Sequence, residues 1–313
     1  MGREKEFFEK LESKGVSRRD FMKFCTFLTA TMGLSASHVA GVAEVFAAPK
    51  QRPPVIWLHF GECTGCSEAM IRTMYPWVDE LVLDILSVEY HETIMAPAGQ
   101  QAEEVLRSSV KRYEGEFICV VEGAIATKDN GIYGKFSDRT FLEIAKDICP
   151  KAKAVICQGT CACFGGIQAA KPNPGGYKGV GEAIGIKTLN IPGCPPNPLN
   201  LIGSIVNYIL LGKLPEIDNL GRPLFAYGKT VHDQCPRRSH FENDEFVTEF
   251  GSEEAVMGYC LYKLGCRGPE TYNNCPTAKF NGGTSWPVQA GHPCIGCSQP
   301  NFWDEMTPFY KEM

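Results

Sequence analysis

The last quarter of the chain carries the residues with the clearest chemical potential. His232-Asp233-Gln234-Cys235 is followed by Cys260, Cys266, Cys275, Cys294 and Cys297. Glycine and proline lie thickly between them, as in Gly265-Cys266-Arg267-Gly268-Pro269 and Gly291-His292-Pro293-Cys294-Ile295-Gly296-Cys297. Backbone that turns this often forms little helix or strand, so something other than a large apolar core must hold it. Metal–thiolate bonds do this, and binding then becomes part of folding. Zinc favours two short ligand pairs, whereas here Cys294 and Cys297 form the one close all-cysteine pair. Disulfides suit small secreted domains and give a leading histidine no part. Iron–sulfur clusters accept scattered thiolates from several loops and tolerate histidine at an iron, so they fit this segment best.

Earlier cysteines sit just after apolar runs. Strands are expected at Val55 to Phe60, Glu80 to Tyr90, Phe117 to Gly123, Ala152 to Gln158 and Thr188 to Ile191. Helices are expected at Ala102 to Arg112, Phe141 to Ile148 and Asn200 to Leu211. This alternation predicts an α/β domain with a mainly parallel, flavodoxin-like sheet. Glu62-Cys63-Thr64-Gly65-Cys66 follows the first strand, Gly159-Thr160-Cys161-Ala162-Cys163 the fourth, and Pro192-Gly193-Cys194-Pro195 the fifth. Open α/β sheets place ligands at the carboxyl ends of their strands, so Cys63, Cys66, Cys161 and Cys194 should converge. Cys63 and Cys66 alone would also suit a thioredoxin-like redox pair, but that leaves the other two loop cysteines unexplained.

The 313 residues are enough for two domains. With Lys+Arg 31 against Asp+Glu 36 the charge is slightly acidic, which argues against nucleic acid as a partner. Fifteen cysteines are too few for a dense disulfide scaffold and too many for an ordinary cytosolic enzyme. Ser17-Arg18-Arg19-Asp20-Phe21-Met22-Lys23 matches a twin-arginine signal, followed by a mildly apolar stretch and the small residues Ala47 and Ala48. The expected organisation is a removed signal peptide over 1–48, a flavodoxin-like domain over 49–225 and an irregular, cluster-stabilised iron–sulfur domain over 226–313. Twin-arginine export carries folded proteins, which suits a cofactor inserted before export.

These motifs resemble one family, the small electron-transferring subunits of periplasmic nickel–iron hydrogenases. The resemblance rests on Glu-Cys-Thr-Gly-Cys-Ser-Glu at 62–68, Gly-Thr-Cys-Ala at 159–162, Gly-Cys-Pro-Pro-Asn-Pro at 193–198 and Gly-His-Pro-Cys-Ile-Gly-Cys at 291–297. It implies two [4Fe–4S] clusters and one [3Fe–4S] cluster. Cys63, Cys66, Cys161 and Cys194 would hold the proximal [4Fe–4S] cluster. His232, Cys235, Cys260 and Cys266 would hold the distal [4Fe–4S] cluster, and Cys275, Cys294 and Cys297 the medial [3Fe–4S] cluster. The H2-activating nickel–iron centre would lie on a separate large subunit, so no catalytic residue is expected here, apart from Glu62 as a proton relay or a cap on its loop. The resemblance implies an H2:ferricytochrome oxidoreductase of the cytochrome c3 type in the periplasm, exported by the twin-arginine machinery.

Ten cysteines are thereby assigned. Cys25 leaves with the signal, Cys119 and Cys157 belong to apolar strands, Cys149 to a helix end, and Cys163 competes with Cys161 as the ligand of its loop. His59, His91 and His240 have no ligand spacing, and His292 is expected to support the medial loop. Oxygen-tolerant members carry extra cysteines where this chain has Gly65 and Gly166, so an oxygen-sensitive type is expected. Pro287 stands where nickel–iron–selenium members have a fourth medial cysteine, which makes that type the alternative. A secreted protein stapled by zinc or disulfides is the alternative from another class. After Trp303 the chain has no apolar helix, so a soluble protein without a membrane span is expected. The acidic run Glu242, Asp244, Glu245, Glu249, Glu253 and Glu254, between two distal ligands, points to a basic electron carrier such as a multihaem cytochrome c.

Overall fold

The computed structural model describes residues 2–47, 52–74 and 77–312; the expected cleavage residue Ala48 lies outside them. Five parallel strands form the central sheet: β1 (Pro54–His59), β2 (Ser87–His91), β3 (Ile118–Glu122), β4 (Ala154–Gln158) and β5 (Leu189–Ile191). Their order is β2-β1-β3-β4-β5, the flavodoxin-like order. Alternate residues of each strand enter two separate cores, as a parallel sheet covered on both faces requires. Val55, Trp57, Ile118 and Val120 pack on one side, and Ile56, Leu58, Cys119 and Val121 on the other.

Helices α1 (Gly2–Ser13), α2 (Arg18–Thr31) and α3 (Val39–Ala47) precede the sheet. After β1 comes α4 (Gly65–Ile71), then α5 (Gln100–Arg112), α6 (Phe141–Ile148), α7 (Thr160–Phe164), α8 (Val180–Ile184) and α9 (Pro198–Leu211). α6 begins where a threonine–glutamate box predicts a start. The Glu143 N–H donates to Thr140 Oγ1 at 3.1 Å and the Thr140 N–H to the Glu143 carboxylate at 2.7 Å. α9 is bounded by an Asn197 cap, Pro198 in its first turn and Gly212 in the left-handed region. α5, α6 and α8 cover the second core, and α9 covers the first.

One expected strand is shorter than its sequence suggests. In the run Glu80 to Tyr90, only Ser87–His91 is extended; Val78–Glu80 and Leu81–Ile85 are helical turns. The Glu80 carboxylate accepts the Trp77 N–H at 3.3 Å, and Leu81 and Ile85, about one turn apart, bury together. Helical period thus wins over strand propensity there.

The three helices before the sheet are part of the first core. Phe21, Cys25, Leu28 and Val42 are buried with Ile202, Ile205 and Val206 of α9. The sequence marked this segment only as a signal. Beyond residue 227 the described chain has no strand longer than isolated bridges and no helix longer than Arg238–Glu242. Its main apolar cluster is small, built on Val231, Val247, Leu261, Leu264, Trp286 and Val288. No helix of the described residues is long and apolar enough to cross a membrane.

Candidate metal centres

The sheet register sets the first centre. His59 pairs with Glu122, Glu122 with Gln158 and Gln158 with Ile191, so four strands end in one row. The segments that follow β1, β4 and β5 leave at one edge, with Cys63 and Cys194 in loops and Cys66 and Cys161 in the first turns of α4 and α7. Burial pushes the Cys66 thiol well up, and Glu122, Cys161, Cys194 and Cys63 push it further. Burial also raises the Cys161 thiol, and Cys63 and Glu122 add to it. Cys194 keeps an exposed edge, yet burial of the rest of its thiol, with Cys297, Cys161 and Cys63 nearby, pushes it up to about 12. Burial and mutual repulsion keep Cys66, Cys161 and Cys194 protonated, and they become thiolates together only when a cationic group binds among them. Two glycines leave the room. A Cβ on Gly159 would lie 2.4 Å from Cys66 Sγ, and one on Gly166 would lie 2.4 Å from Cys161 Sγ.

Cys163 is not in this group. It is buried, and its thiol donates to the Cys157 carbonyl at 3.3 Å, inside the second core. The structure thus separates it from Cys161, which keeps a half-buried thiol at the strand ends. Cys119, Cys149 and Cys157 are buried in that second core, as expected, and Cys25 is buried in α2.

The second centre is a small cavity in the irregular region. His232, Cys235, Cys260 and Cys266 all line it, with Val231, Leu261, Val288 and the basic Arg237 and Arg238. Burial raises the Cys235 and Cys260 thiols, and Cys266 raises both further. Burial, with Arg238 beside it, lowers the His232 imidazole, which favours the neutral form that binds metal.

Cys275, Cys294 and Cys297 form the third group. Burial pushes Cys275 well up, with help from Cys297 and Cys294, and pushes Cys294 up to about 12. Cys275 and Cys297 line a cavity of about 860 Å³ together with Ser285, Trp286, Pro287 and Cys194. The His292 backbone N–H donates to the Pro287 carbonyl at 2.9 Å and closes this loop.

The groups adjoin one another in a line. Cys297 sits near enough to Cys194 to raise its pKa, and the Thr160 hydroxyl donates to the Cys297 carbonyl at 2.5 Å. At the other end, the Cys294 N–H donates to Cys266 Sγ at 3.4 Å. All fifteen cysteines are free of disulfides. Thiol sets of four and three, and a set of three with one histidine, are donor sets that can hold iron–sulfur clusters.

Sequence reading missed Glu122. It ends β3, and its carboxylate accepts the Cys66 N–H at 3.0 Å, the Ser67 N–H at 3.1 Å and the Ser67 hydroxyl at 2.6 Å. The signal was a carboxylate closing an otherwise apolar strand. Glu62 caps no backbone group in its loop; it accepts from the Thr64 hydroxyl at 3.2 Å and lies 3.3 Å from His59 Nδ1. The acid and imidazole atoms of His59, Glu62 and Glu122 lie within 4.8 Å of one another. His91 packs beside this cluster with its ring tilted 58° to that of His59 at 4.8 Å, and burial holds it down at about 3.

A family model for the C-terminal part of nickel–iron and nickel–iron–selenium hydrogenase small subunits matches residues 227–310. A model for the 20 kDa subunit of NADH ubiquinone oxidoreductase matches residues 63–208. The periplasmic [NiFe] hydrogenase small subunit 1 of Nitratidesulfovibrio vulgaris is 56% identical over 306 residues, 97% of this chain and 96% of that protein. The chain belongs to the [NiFe] hydrogenase small subunits. The periplasmic small subunit of Solidesulfovibrio fructosivorans is 53% identical, over 97% of this chain and 96% of its own length. Among solved structures, the nickel–iron–selenium hydrogenase of Desulfomicrobium baculatum superposes with a TM-score of 0.79 at 35% identity, covering 84% of this chain and 100% of that one. Membership sets aside the secreted protein stapled by zinc or disulfides.

Proposed function

We propose that this hydrogenase small subunit carries electrons through three iron–sulfur clusters, between a nickel–iron centre on a large subunit and an external carrier. The observation that carries this reading is the line of adjacent ligand groups, joined by Cys194 beside Cys297 and by the Cys294 N–H on Cys266 Sγ. In it, Cys63, Cys66, Cys161 and Cys194 hold the proximal [4Fe–4S] cluster; Cys275, Cys294 and Cys297 hold the medial [3Fe–4S] cluster; His232, Cys235, Cys260 and Cys266 hold the distal [4Fe–4S] cluster. When bound, such clusters supply one-electron carriers whose potential depends on ligands, hydrogen bonds and exposure.

The chain's own residues set those conditions. Glu122 fixes the Cys66 turn through three hydrogen bonds. The Cys294 N–H on Cys266 Sγ, and Arg237 and Arg238 beside the distal cavity, favour negative charge there. His232, as a neutral ligand in place of a thiolate, raises the potential at the exit. Glu62 passes protons in this reading, which its contacts to His59 and Thr64 support.

Pro287 beside Cys275 and Cys297 supports a three-iron medial cluster, and hence the nickel–iron type over the selenium type. Gly65 and Gly166, whose positions adjoin Cys63 Sγ and Cys161 Sγ, stand where an oxygen-tolerant set would have extra thiols, which supports the oxygen-sensitive type. The remaining parts of the reading are export by the twin-arginine route, residence in the periplasm and a basic c-type cytochrome as carrier. Metal analysis of the purified enzyme tests the cluster assignment. About eleven irons per chain outside the nickel–iron centre are expected; one or two zincs, or iron for a single cluster, would overturn it.

A further inference from the structure

We infer that residues 2–47 dock on the face that the large subunit covers in the assembled enzyme, so the leader and the large subunit exclude one another there. The inference rests on the reading of 1–48 as a removed leader and of the chain as one half of a two-subunit enzyme.

The sheet itself gives the first reason. Its second face is covered by α5, α6 and α8 of the same domain. Its first face is covered by α9, by Met70, Ala226 and Tyr227, by the turns around Leu81 and Ile85, and over a broad further area by α1–α3. Cys25, Leu28 and Val42 are fully buried in that core, and Leu11 is 1% exposed. The fit is close. A Cβ on Gly41 would lie 2.8 Å from Leu210 Cδ1 of α9, and Met32 packs against Gly203. Removal of the leader would uncover a continuous apolar face on α9 and around Trp57, Leu81 and Ile85. Soluble proteins rarely leave such a patch bare, so another surface must take it.

The second reason is where this face leads. Phe24 and Phe27 of α2 line the cavity of about 860 Å³ that also holds Gly65, Cys194, Cys275 and Cys297. Cys63 and Cys194 are the two exposed thiols of the chain. The chain that exchanges electrons with the proximal ligands must cover this rim, where Met74 is also exposed. Leader and partner therefore meet over one continuous surface.

The third reason is charge, and it states what the partner presents. Lys10 reaches Asp79 at 3.1 Å and Asp84 at 3.2 Å, and Lys14 reaches Asp79 at 3.0 Å and Glu80 at 3.7 Å. Lys14 Nζ also lies 4.4 Å over the Trp77 ring. Once the leader is gone, these three carboxylates flank the apolar face. The fitting occupant is an apolar ridge edged by lysine or arginine.

The test uses the full chain with its clusters and purified large subunit. Two leader variants, Lys10→Glu with Lys14→Glu, and Leu28→Asp, weaken the dock without touching a mature residue; iron content checks that each is folded. Both should associate with the large subunit at least tenfold faster than the unaltered chain. Trypsin cleavage after Arg18 and Arg19 should rise at least tenfold when the large subunit binds. Equal association rates for all three chains, or a leader still protected in the complex, would overturn the inference. Amino-terminal sequencing of the exported subunit tests the leader reading separately: a chain that still starts before residue 48 would refute removal, whatever the association rates show.

Discussion

The groups proposed as proximal and as distal ligands are held by opposite means. Around Cys63, Cys66, Cys161 and Cys194 the positions are set by a hydrogen-bonded ladder in which His59, Glu122, Gln158 and Ile191 end in register. Around His232, Cys235, Cys260 and Cys266 there is no sheet, the helices have at most five residues, and the apolar cluster is small. The first scaffold positions its ligands through backbone pairing and two apolar cores. On the proposed assignment, the second depends on its ligands for its own fold. Such a region can be short and irregular, and it can bring an electron exit close to solvent without a large core of its own.

The comparison breaks most visibly at single residues. Replacing His232 by Ala should cut electron delivery to an external carrier by at least tenfold, read as H2-driven dye or cytochrome reduction. Hydrogen–deuterium exchange at the nickel–iron centre should persist, since it needs no external electrons. A substitution in the sheet should do the reverse. Ile156→Ala, in a fully buried site, should lower stability by about 2–5 kcal/mol and leave the turnover of folded molecules unchanged. Parallel loss of both activities in the His232 variant would remove it from the exit.

Pro287→Cys sharpens the account of the medial group. It should convert a three-iron cluster to a four-iron one, and the paramagnetic signal of the oxidised three-iron form should vanish. Persistence of that signal with cysteine in place would put the fourth corner elsewhere.

The carrier's dock should respond to salt. Glu242 is paired with Arg238 at 2.9 Å and Glu245 with His240 at 2.6 Å, so the exposed Asp244, Glu249 and Glu253 are the better probes. Neutralising these three should slow reduction of a basic cytochrome about threefold to tenfold at low salt and flatten its salt dependence, because exposed charges are screened beyond about 10 Å at 0.1 M. An unaltered salt slope would place the dock on another face.

The last expected effect lies in the sheet region. Burial raises Glu92 to about 7 from 4.5. The folded state then holds a proton that the unfolded state has lost, so this stabilisation is complete below pH 4.5 and disappears as pH rises to 7. Glu92→Gln should flatten the fall of the melting temperature between pH 4.5 and 7. An identical pH profile would show that the carboxylate is not held protonated.

Much of this was legible in the sequence for physical reasons. Continuous apolar runs followed by cysteine loops imply parallel strands with the cysteines at their carboxyl ends, and the register bears out the parallel strands. Gly265-Cys266-Arg267-Gly268-Pro269 and its like implied an irregular fold, and the region beyond residue 227 is irregular. Three features escaped. Leu81–Ile85 is helical because burial at helical spacing overrode a strand-like composition. Glu122 meets Cys66 and Ser67 across more than fifty residues, a pairing that only the sheet register creates. The packing of residues 2–47 could not be read from a weakly apolar stretch, because the complementary face lies on α9, far along the chain.

The most direct measurement compares amide exchange in the iron-loaded chain with that in the same chain after anaerobic removal of iron. The account predicts that residues 231–297 lose protection as a unit, while β1, β3 and β4 stay protected in both forms. Full protection of residues 231–297 without iron would contradict it, because that region would then be folded by its own packing and not by the groups that its histidine and cysteines hold.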